Sequence, residues 1–275
     1  MVAPADPMHE TAYAKINLAL HVRERMADGY HRIETVFAFA DDGDRLGVAE
    51  ADELTLAITG PFAAGLAGEG DNLVLRAARA LSERYGVAAG ARLTLDKQLP
   101  IASGIGGGSA DAAAALRLLA RWWHLDVNQA DLLDIAAGLG ADVPACLLSR
   151  TARGEGRGDA LQPLSDLGLT GTPLLLVNPG RALSTAAVFR AWNGVDRGAL
   201  GNWRDGRNDL EKPAIGLVPE IADVLGALSG AEVARMSGSG ATCFALYASG
   251  AERDEVAALI MAGNPGWWAF PSCLR

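Results

Sequence analysis

Between residues 13 and 22 the chain alternates apolar and polar side chains. Ala14, Ile16, Leu18, Leu20 and Val22 fall on one face of an extended segment, and Lys15, Asn17 and His21 on the other. An ammonium and an amide two positions apart can line a cleft together, or face water on an edge strand; the pattern leaves both open. Asp28-Gly29-Tyr30-His31 reads as a turn, followed by strands over 33–39, 45–48, 54–58 and 92–95. Helical spacing covers 72–85 behind the cap signal Asp71-Asn72, and 127–139 up to Gly140. Residues 152–160, rich in Gly and Arg, read as a turn between strands. Further on, 174–177 reads as a buried strand and 185–192 and 219–228 as helices. Residues 233–247 give strand, Ser237-Gly238-Ser239-Gly240 turn, strand, and 252–261 a last helix. Strands and helices mix without a strict βα repeat, which predicts an α+β fold. A composition shift over 162–172 predicts two domains, 1–163 and 164–275.

The segment from Pro100 to Leu116, PIASGIGGGSADAAAAL, carries the clearest chemistry. Gly104, Gly106, Gly107 and Gly108 lack a Cβ, so the main chain can turn tightly and approach a ligand. A helix starting near Ser109, with Ala112, Ala113, Leu116, Leu119, Ala120 and Trp123 at helical spacing, adds unpaired N–H groups and a positive dipole end, which favour an anion. No Lys-Ser/Thr follows the last glycine, and G-x-G-x-x-G is not completed, so neither the Walker loop nor the dinucleotide fingerprint applies. The competing explanation is a glycine-rich turn that merely starts a helix. Asp142, before Val143-Pro144, is most simply a helix cap.

Of the 275 residues 50% are hydrophobic and 21% charged, as in soluble globular proteins. No apolar run is long enough to span a bilayer and MVAPADPMHE lacks signal-peptide order, so the expected compartment is the cytoplasm. Cys146, Cys243 and Cys273 suit neither a disulfide framework nor a zinc site. A net charge of −9 argues against a broad nucleic-acid surface. Only three of the 24 basic residues are lysines, Lys15, Lys97 and Lys212, so each is a candidate for a task needing a compact ammonium. The tryptophans 122, 123, 203, 267 and 268 are compatible with core or interface, and the chain with a monomer or homodimer.

In order along the chain stand a Lys-x-Asn strand, the P-x-x-x-G-x-G-G-G-S run and a late Gly-Ser-Gly-Ala-Thr turn. This order resembles the GHMP kinase superfamily over roughly residues 11 to 270. AKINLALHV, DGYH, GADVPACL, VNPGRALSTAAVF and Asn208-Asp209-Leu210 resemble the branch that phosphorylates a cytidine diphosphate methylerythritol. Ile105 stands where the loop commonly has leucine, and Ile101-Ala102-Ser103 replaces a more glycine-rich stretch; neither removes a polar group.

The resemblance implies an N-terminal ribosomal-protein-S5-like domain and a C-terminal ferredoxin-like domain with the active site between them. It implies transfer of the ATP γ-phosphoryl group to the tertiary C2 hydroxyl of the substrate. ATP's phosphates would sit on Pro100, Gly104, Gly106, Gly107, Gly108 and Ser109, with Lys97 beside the nucleotide. Asp142 would accept the alcohol's proton and Lys15 would offset charge on the transferred group, roles that suit a reaction governed by positioning and electrostatics. Asn17 would hold the methylerythritol hydroxyls, Tyr30 and Phe189 would stack on the pyrimidine, and His31 would bond its polar edge. Thr185 and the turn of Gly238, Ser239 and Gly240 would approach the substrate. Mg²⁺ is expected with ATP; no acidic cluster dictates its ligands, although Ser109 is a candidate.

Overall fold

The first strand, β1 (Met8–Arg25), and the second, β2 (His31–Ala49), are far longer than the mean strand. They belong to a computed structural model that describes residues 8–66, 72–88, 90–165 and 167–275. The opening residues 1–7 and Asp71 of the expected cap lie outside the described residues. Both faces of β1 are buried around the alternating segment: Lys15, Asn17 and His21 are as inaccessible as the aliphatic side chains beside them. The edge-strand alternative for this segment therefore fails.

Strand β2 joins what the pattern reads as two strands. Its middle, Asp41-Asp42-Gly43-Asp44, is polar enough to read as a loop, yet stays extended. At Gly43 a Cβ would lie 2.0 Å from the Ala12 carbonyl oxygen, so only glycine permits that approach. Asp44 is held by main-chain amides, as described below.

Contacts divide the chain into two compact units that alternate along the sequence. One takes the residues up to Tyr13, Gly43–Leu99 and Gly107–Leu148; the other takes Ala14–Asp42, Pro100–Gly106 and Ser149–Arg275. In the first unit, Arg45 to Ala49 of β2 pair antiparallel with β4 (Ala91–Asp96), and β4 pairs parallel with β3 (Leu54–Thr59). Helix α1 (Leu73–Tyr85) is started by Asn72, whose side chain accepts the Val74 N–H, and stopped by Gly86 in the left-handed region. Its buried residues Val74, Ala77, Ala78 and Leu81 keep the spacing of one helical face. Helix α2 (Gly107–Trp122) begins two residues before the expected start and is buried along most of its length. Asn128 caps α3 (Gln129–Leu139), and α4 (Val143–Leu148) follows Asp142.

In the second unit, Thr35 to Phe37 of β2 pair with β5 (Ala152–Glu155), which pairs with β6 (Ala160–Pro163). A separate antiparallel sheet has the order β10-β7-β9-β8, built from β7 (Pro173–Asn178), β8 (Val233–Met236), β9 (Cys243–Leu246) and β10 (Trp268–Cys273). Helices α5 (Thr185–Ala191), α6 (Glu211–Leu217), α7 (Glu220–Ala227) and α8 (Gly250–Gly263) accompany it. Leu175, Val177, Ile221, Val224, Cys243 and Ala245 are among its core residues. β10 and α6 escape the pattern because Pro271 and Pro213 interrupt them. Pro271 is tolerated on an edge strand and Pro213 in the first turn of a helix, where the missing N–H does no harm.

Candidate active site

Helix α2 starts inside the glycine run, so Gly107, Gly108 and Ser109 are its first three residues. N–H groups at a helix start have no carbonyl partner one turn earlier and lie at the positive end of the dipole, which makes them an anion site. Gly108 is exposed and Ser109 half-buried. Next to this turn lies a buried ionic cluster. Lys97 Nζ donates to Asp44 Oδ2 at 2.5 Å and to Asp111 Oδ2 at 2.7 Å. Asp44 Oδ1 accepts the amides of Gln98 at 2.6 Å and Leu99 at 2.8 Å. Burial works against the Lys97 charge, but Asp111 and Asp44 outweigh it and hold the ammonium pKa above its ordinary value. A Cβ on Gly107 would lie 3.1 Å from Lys97 Nζ, so the ammonium packs against the first residue of α2. Lys97, set beside the nucleotide by the resemblance, thus has its charge enclosed by two carboxylates.

The second unit holds Gly104 and Gly106 together with Lys15 and Asn17. Lys15 Nζ donates to Asn17 Oδ1 at 3.0 Å and stands 4.8 Å from the centre of the Phe37 ring. Asn17 Nδ2 donates to Thr35 Oγ1 at 2.8 Å, and that hydroxyl donates to the Ala19 carbonyl at 2.7 Å. Every link is buried, so the lysine head is held by a chain of fixed partners. The Lys15 N–H also bonds the Ile105 carbonyl at 3.0 Å, tying the strand to the glycine run. Gly106 sits at φ +65, and a Cβ there would meet Lys15 Cε at 3.0 Å. Gly106→Ala combines a left-handed backbone that costs about 1–2 kcal/mol for an L-residue with displacement of Lys15. Weaker binding of the nucleotide that the resemblance implies is the expected result in calorimetric titration, whereas Gly138→Ala, in open space on α3, leaves it unchanged.

The turn at 237–242 closes on the same residues. Ser237 N–H bonds the Thr242 carbonyl, and Ser237 Oγ accepts the Asn17 N–H at 3.2 Å while donating to the Gly104 carbonyl at 3.1 Å. Asn208 Nδ2 holds the carbonyls of Met236 at 2.7 Å and Gly238 at 2.8 Å. Thr185 Oγ1 and Ser239 Oγ are 2.8 Å apart. Gly104, too close to Ser237 and Gly240 to carry a side chain, completes the contact. Pro100 is buried, and its carbonyl accepts Ser103 Oγ at 2.5 Å.

His31 and Phe189 pack together with ring centroids 4.8 Å apart, and Trp192 meets His31 edge-on at 5.7 Å. Burial, followed by the Arg25 charge, lowers the His31 pKa. Arg25 Nε donates to His31 Nε2 at 3.3 Å; a guanidinium cannot accept, so Nε2 is the acceptor and the ring proton of the neutral imidazole lies on Nδ1. Tyr30 is 54% exposed, with the Arg157 guanidinium 5.0 Å over its ring. An exposed aromatic in this position offers a free face for stacking.

Asp142 is half-buried at the start of α4, where its carbonyl accepts the Cys146 N–H at 3.1 Å as the opening bond of the helix. The far end of α4 is gripped by Arg117 of α2. Its guanidinium donates to the Cys146 carbonyl at 2.9 Å and, through the other nitrogen, to the Thr11 carbonyl at 2.9 Å, while Nε pairs with Glu10 at 3.3 Å.

The model of the GHMP kinases N terminal domain matches residues 72–150, and that of the GHMP kinases C terminal region matches 185–260. A 4-diphosphocytidyl-2-C-methyl-D-erythritol kinase of Rhizorhabdus wittichii is 54% identical over 285 residues, covering 99% of this chain and 97% of the relative. This chain belongs to the 4-diphosphocytidyl-2-C-methyl-D-erythritol kinase family. A crystal structure of 4-(cytidine 5'-diphospho)-2C-methyl-D-erythritol kinase, 34% identical, matches with a TM-score of 0.83 over 97% of this chain and 99% of the other. The homoserine kinase of Cytophaga hutchinsonii matches with a TM-score of 0.71 at 19% identity over 98% and 95% of the two chains, a likeness of fold alone. The fold is therefore the α+β GHMP kinase fold, and the chain is an ATP-dependent kinase of a small-molecule acceptor. For a kinase of this family, sequence reasoning overlooks Asp44, Asp111, Thr35, Arg25 and Arg117. Asp111 alone left a signal, as the one charge inside an otherwise apolar stretch from Ala110 to Leu116.

Proposed function

We propose that the chain transfers the γ-phosphoryl group of ATP to the tertiary C2 hydroxyl of 4-diphosphocytidyl-2-C-methyl-D-erythritol, giving the 2-phosphate in the non-mevalonate isoprenoid pathway. The observation that carries this reading is the buried Lys15–Asn17 pair, fixed against Gly106 of the glycine run. The new bond joins the C2 oxygen to the γ-phosphorus, the bond from that phosphorus to the β-bridging oxygen breaks, and ADP leaves. Asp142 accepts the proton of the C2 hydroxyl, and Lys15 offsets the charge spread over the transferred group. The amides of Gly106, Gly107, Gly108 and Ser109 receive the nucleotide phosphates, with Gly104 and Pro100 shaping the run and Lys97 supporting it.

Asn17, Thr185, Gly238, Ser239 and Gly240 take the polar part of the acceptor, and Tyr30, His31 and Phe189 the cytosine. The Nδ1–H of His31 suits a pyrimidine acceptor atom. Mg²⁺ is expected to accompany ATP, with Ser109 a candidate ligand beside nucleotide oxygens and water. Bound there, it would neutralise phosphate charge. The division into 1–163 and 164–275 falls in the span between the two matched regions, 72–150 and 185–260, whereas contacts group 14–42 and 100–106 with 149–275. ATP as donor supports a cytoplasmic site of action, and both a monomer and a homodimer agree with the proposal. No helix among the described residues is long and apolar enough to cross a membrane.

The test is a phosphorylation assay offering 4-diphosphocytidyl-methylerythritol, mevalonate and homoserine under identical conditions. Turnover of the first acceptor alone is expected; faster turnover of either of the others overturns the assignment. Base stacking on an aromatic is worth about 1–3 kcal/mol. Tyr30→Ala and Phe189→Ala should therefore each raise KM for the cytidylated substrate roughly five- to 150-fold, with KM for ATP unchanged.

A further inference from the structure

We propose that Arg25 is a positioning residue: it fixes which nitrogen of His31 carries the ring proton, and so sets a preference for cytosine over uracil. This rests on the reading of His31 as the contact to the polar edge of the base. Arg25 ends β1 and His31 opens β2. Residues 26–30 form the turn between them, where the Met26 N–H bonds the Tyr30 carbonyl at 2.8 Å and the Gly29 N–H bonds the Met26 carbonyl at 3.1 Å. The Tyr30 N–H is held by Asp28 Oδ1 at 3.0 Å. The hairpin thus delivers a guanidinium to one side of the imidazole.

Arg25 differs from the arginines around it. Arg23 pairs with Glu34 and Asp196, Arg32 with Glu24, and Arg157 with Asp159. Arg25 is exposed and pairs with no carboxylate among the described residues; its Nε donates to His31 Nε2 at 3.3 Å. Helix α5 fixes the rest of the ring through Phe189, at 4.8 Å between centroids, and Trp192, edge-on at 5.7 Å. Nδ1 has no hydrogen-bond partner among the described residues, yet it is not a sealed, buried atom, so it stays open to a ligand.

A neutral imidazole has one N–H and one lone pair. With Nε2 accepting from Arg25, Nδ1 is the donor. Cytosine carries an acceptor at N3, where uracil carries an N–H. A donor at Nδ1 therefore finds a partner in cytosine and a second donor in uracil, and two facing donors leave both unsatisfied. Burial, then the Arg25 charge, lowers the His31 pKa, so the ring stays neutral above pH 7. Among the described residues no other charge faces it: α5 meets it with Phe189 and Trp192, Arg32 on β2 turns to Glu24, and Arg157, over Tyr30, is paired with Asp159.

The experiment compares wild type, Arg25→Met, Arg25→Lys and His31→Ala, with 4-diphosphocytidyl-methylerythritol and its uridine counterpart as acceptors, from pH 5.5 to 8.5. Methionine has no N–H to donate, so the proton can move to Nε2 and Nδ1 becomes an acceptor. At pH 8 Arg25→Met should raise KM for the cytidine acceptor roughly two- to twelvefold, the worth of one hydrogen bond. It should lower KM for the uridine counterpart and leave kcat unchanged. The defect should fade towards pH 5.5, where the ring, relieved of the Arg25 charge, takes a second proton and donates from both nitrogens. Arg25→Lys, which still donates, should restore part of the cytosine preference. A KM indifferent to Arg25→Met, or a defect equal at every pH, overturns the proposal. Should Arg25→Met not fold, ¹⁵N NMR of histidine-labelled wild type at pH 8 decides: the His31 proton must lie on Nδ1, and a proton on Nε2 overturns the idea. An unchanged KM for the cytidine acceptor in His31→Ala instead overturns the reading of His31 as a base contact, and this inference with it.

Discussion

Asp142→Asn is expected to lower kcat by about 100- to 10,000-fold, the range for losing a general base, with KM for ATP little changed. Asparagine is as good a helix cap as aspartate, so α4 keeps its opening bond between Cys146 and residue 142. What the substitution removes is the capacity to take a proton. A coupled assay for ADP release on the purified variant, alongside far-ultraviolet circular dichroism to show an intact fold, measures the effect. Turnover equal to wild type would mean that the C2 proton leaves by another route and that Asp142 is only a cap.

The second large effect concerns stability. Lys97→Met leaves Asp44 and Asp111 buried without their cation, and removing one partner of a buried ion pair typically costs about 3–5 kcal/mol. Urea unfolding should show a clearly lower midpoint, and the loss should be smaller in acid. The sign follows from Asp111, whose folded pKa of about 7 stands above its ordinary value of 3.8. Between these values the folded protein binds more protons than the unfolded one, so the group's contribution to stability falls as pH rises through that window. Without Lys97 the preference for protonated carboxyls strengthens, so the variant should suffer more at pH 8 than at pH 6. A midpoint unchanged at both pH values would contradict the enclosed cluster.

Much of this architecture was legible in the sequence because it rests on local rules. The face of α1, the Asn72 cap and the turn at Ser237–Gly240 follow from spacing and cap chemistry alone. The glycine run was legible for the same reason, since few other needs bring four glycines to the start of an alanine-rich helix. Misreadings arose where distant residues decide the outcome. Asp41 to Asp44 look like a loop, but a backbone approach at Gly43 and the amides of Gln98 and Leu99 keep the chain extended. Pro271 argues against a strand until β7 supplies a partner on one side only. Lys97 stood out by its rarity. That its ammonium is spoken for by two acids, 53 and 14 positions away in the chain, is a tertiary fact.

Helix α4 has six residues, about 9 Å of rigid rod at the usual rise, with Asp142 at one tip and the Arg117 guanidinium clasping the other. A lever this short transmits a tilt at its anchored end almost undiminished. Harmful natural variants should therefore accumulate at Arg117 and at Glu10, which pairs with it, and should present as slow enzymes rather than as unfolded ones.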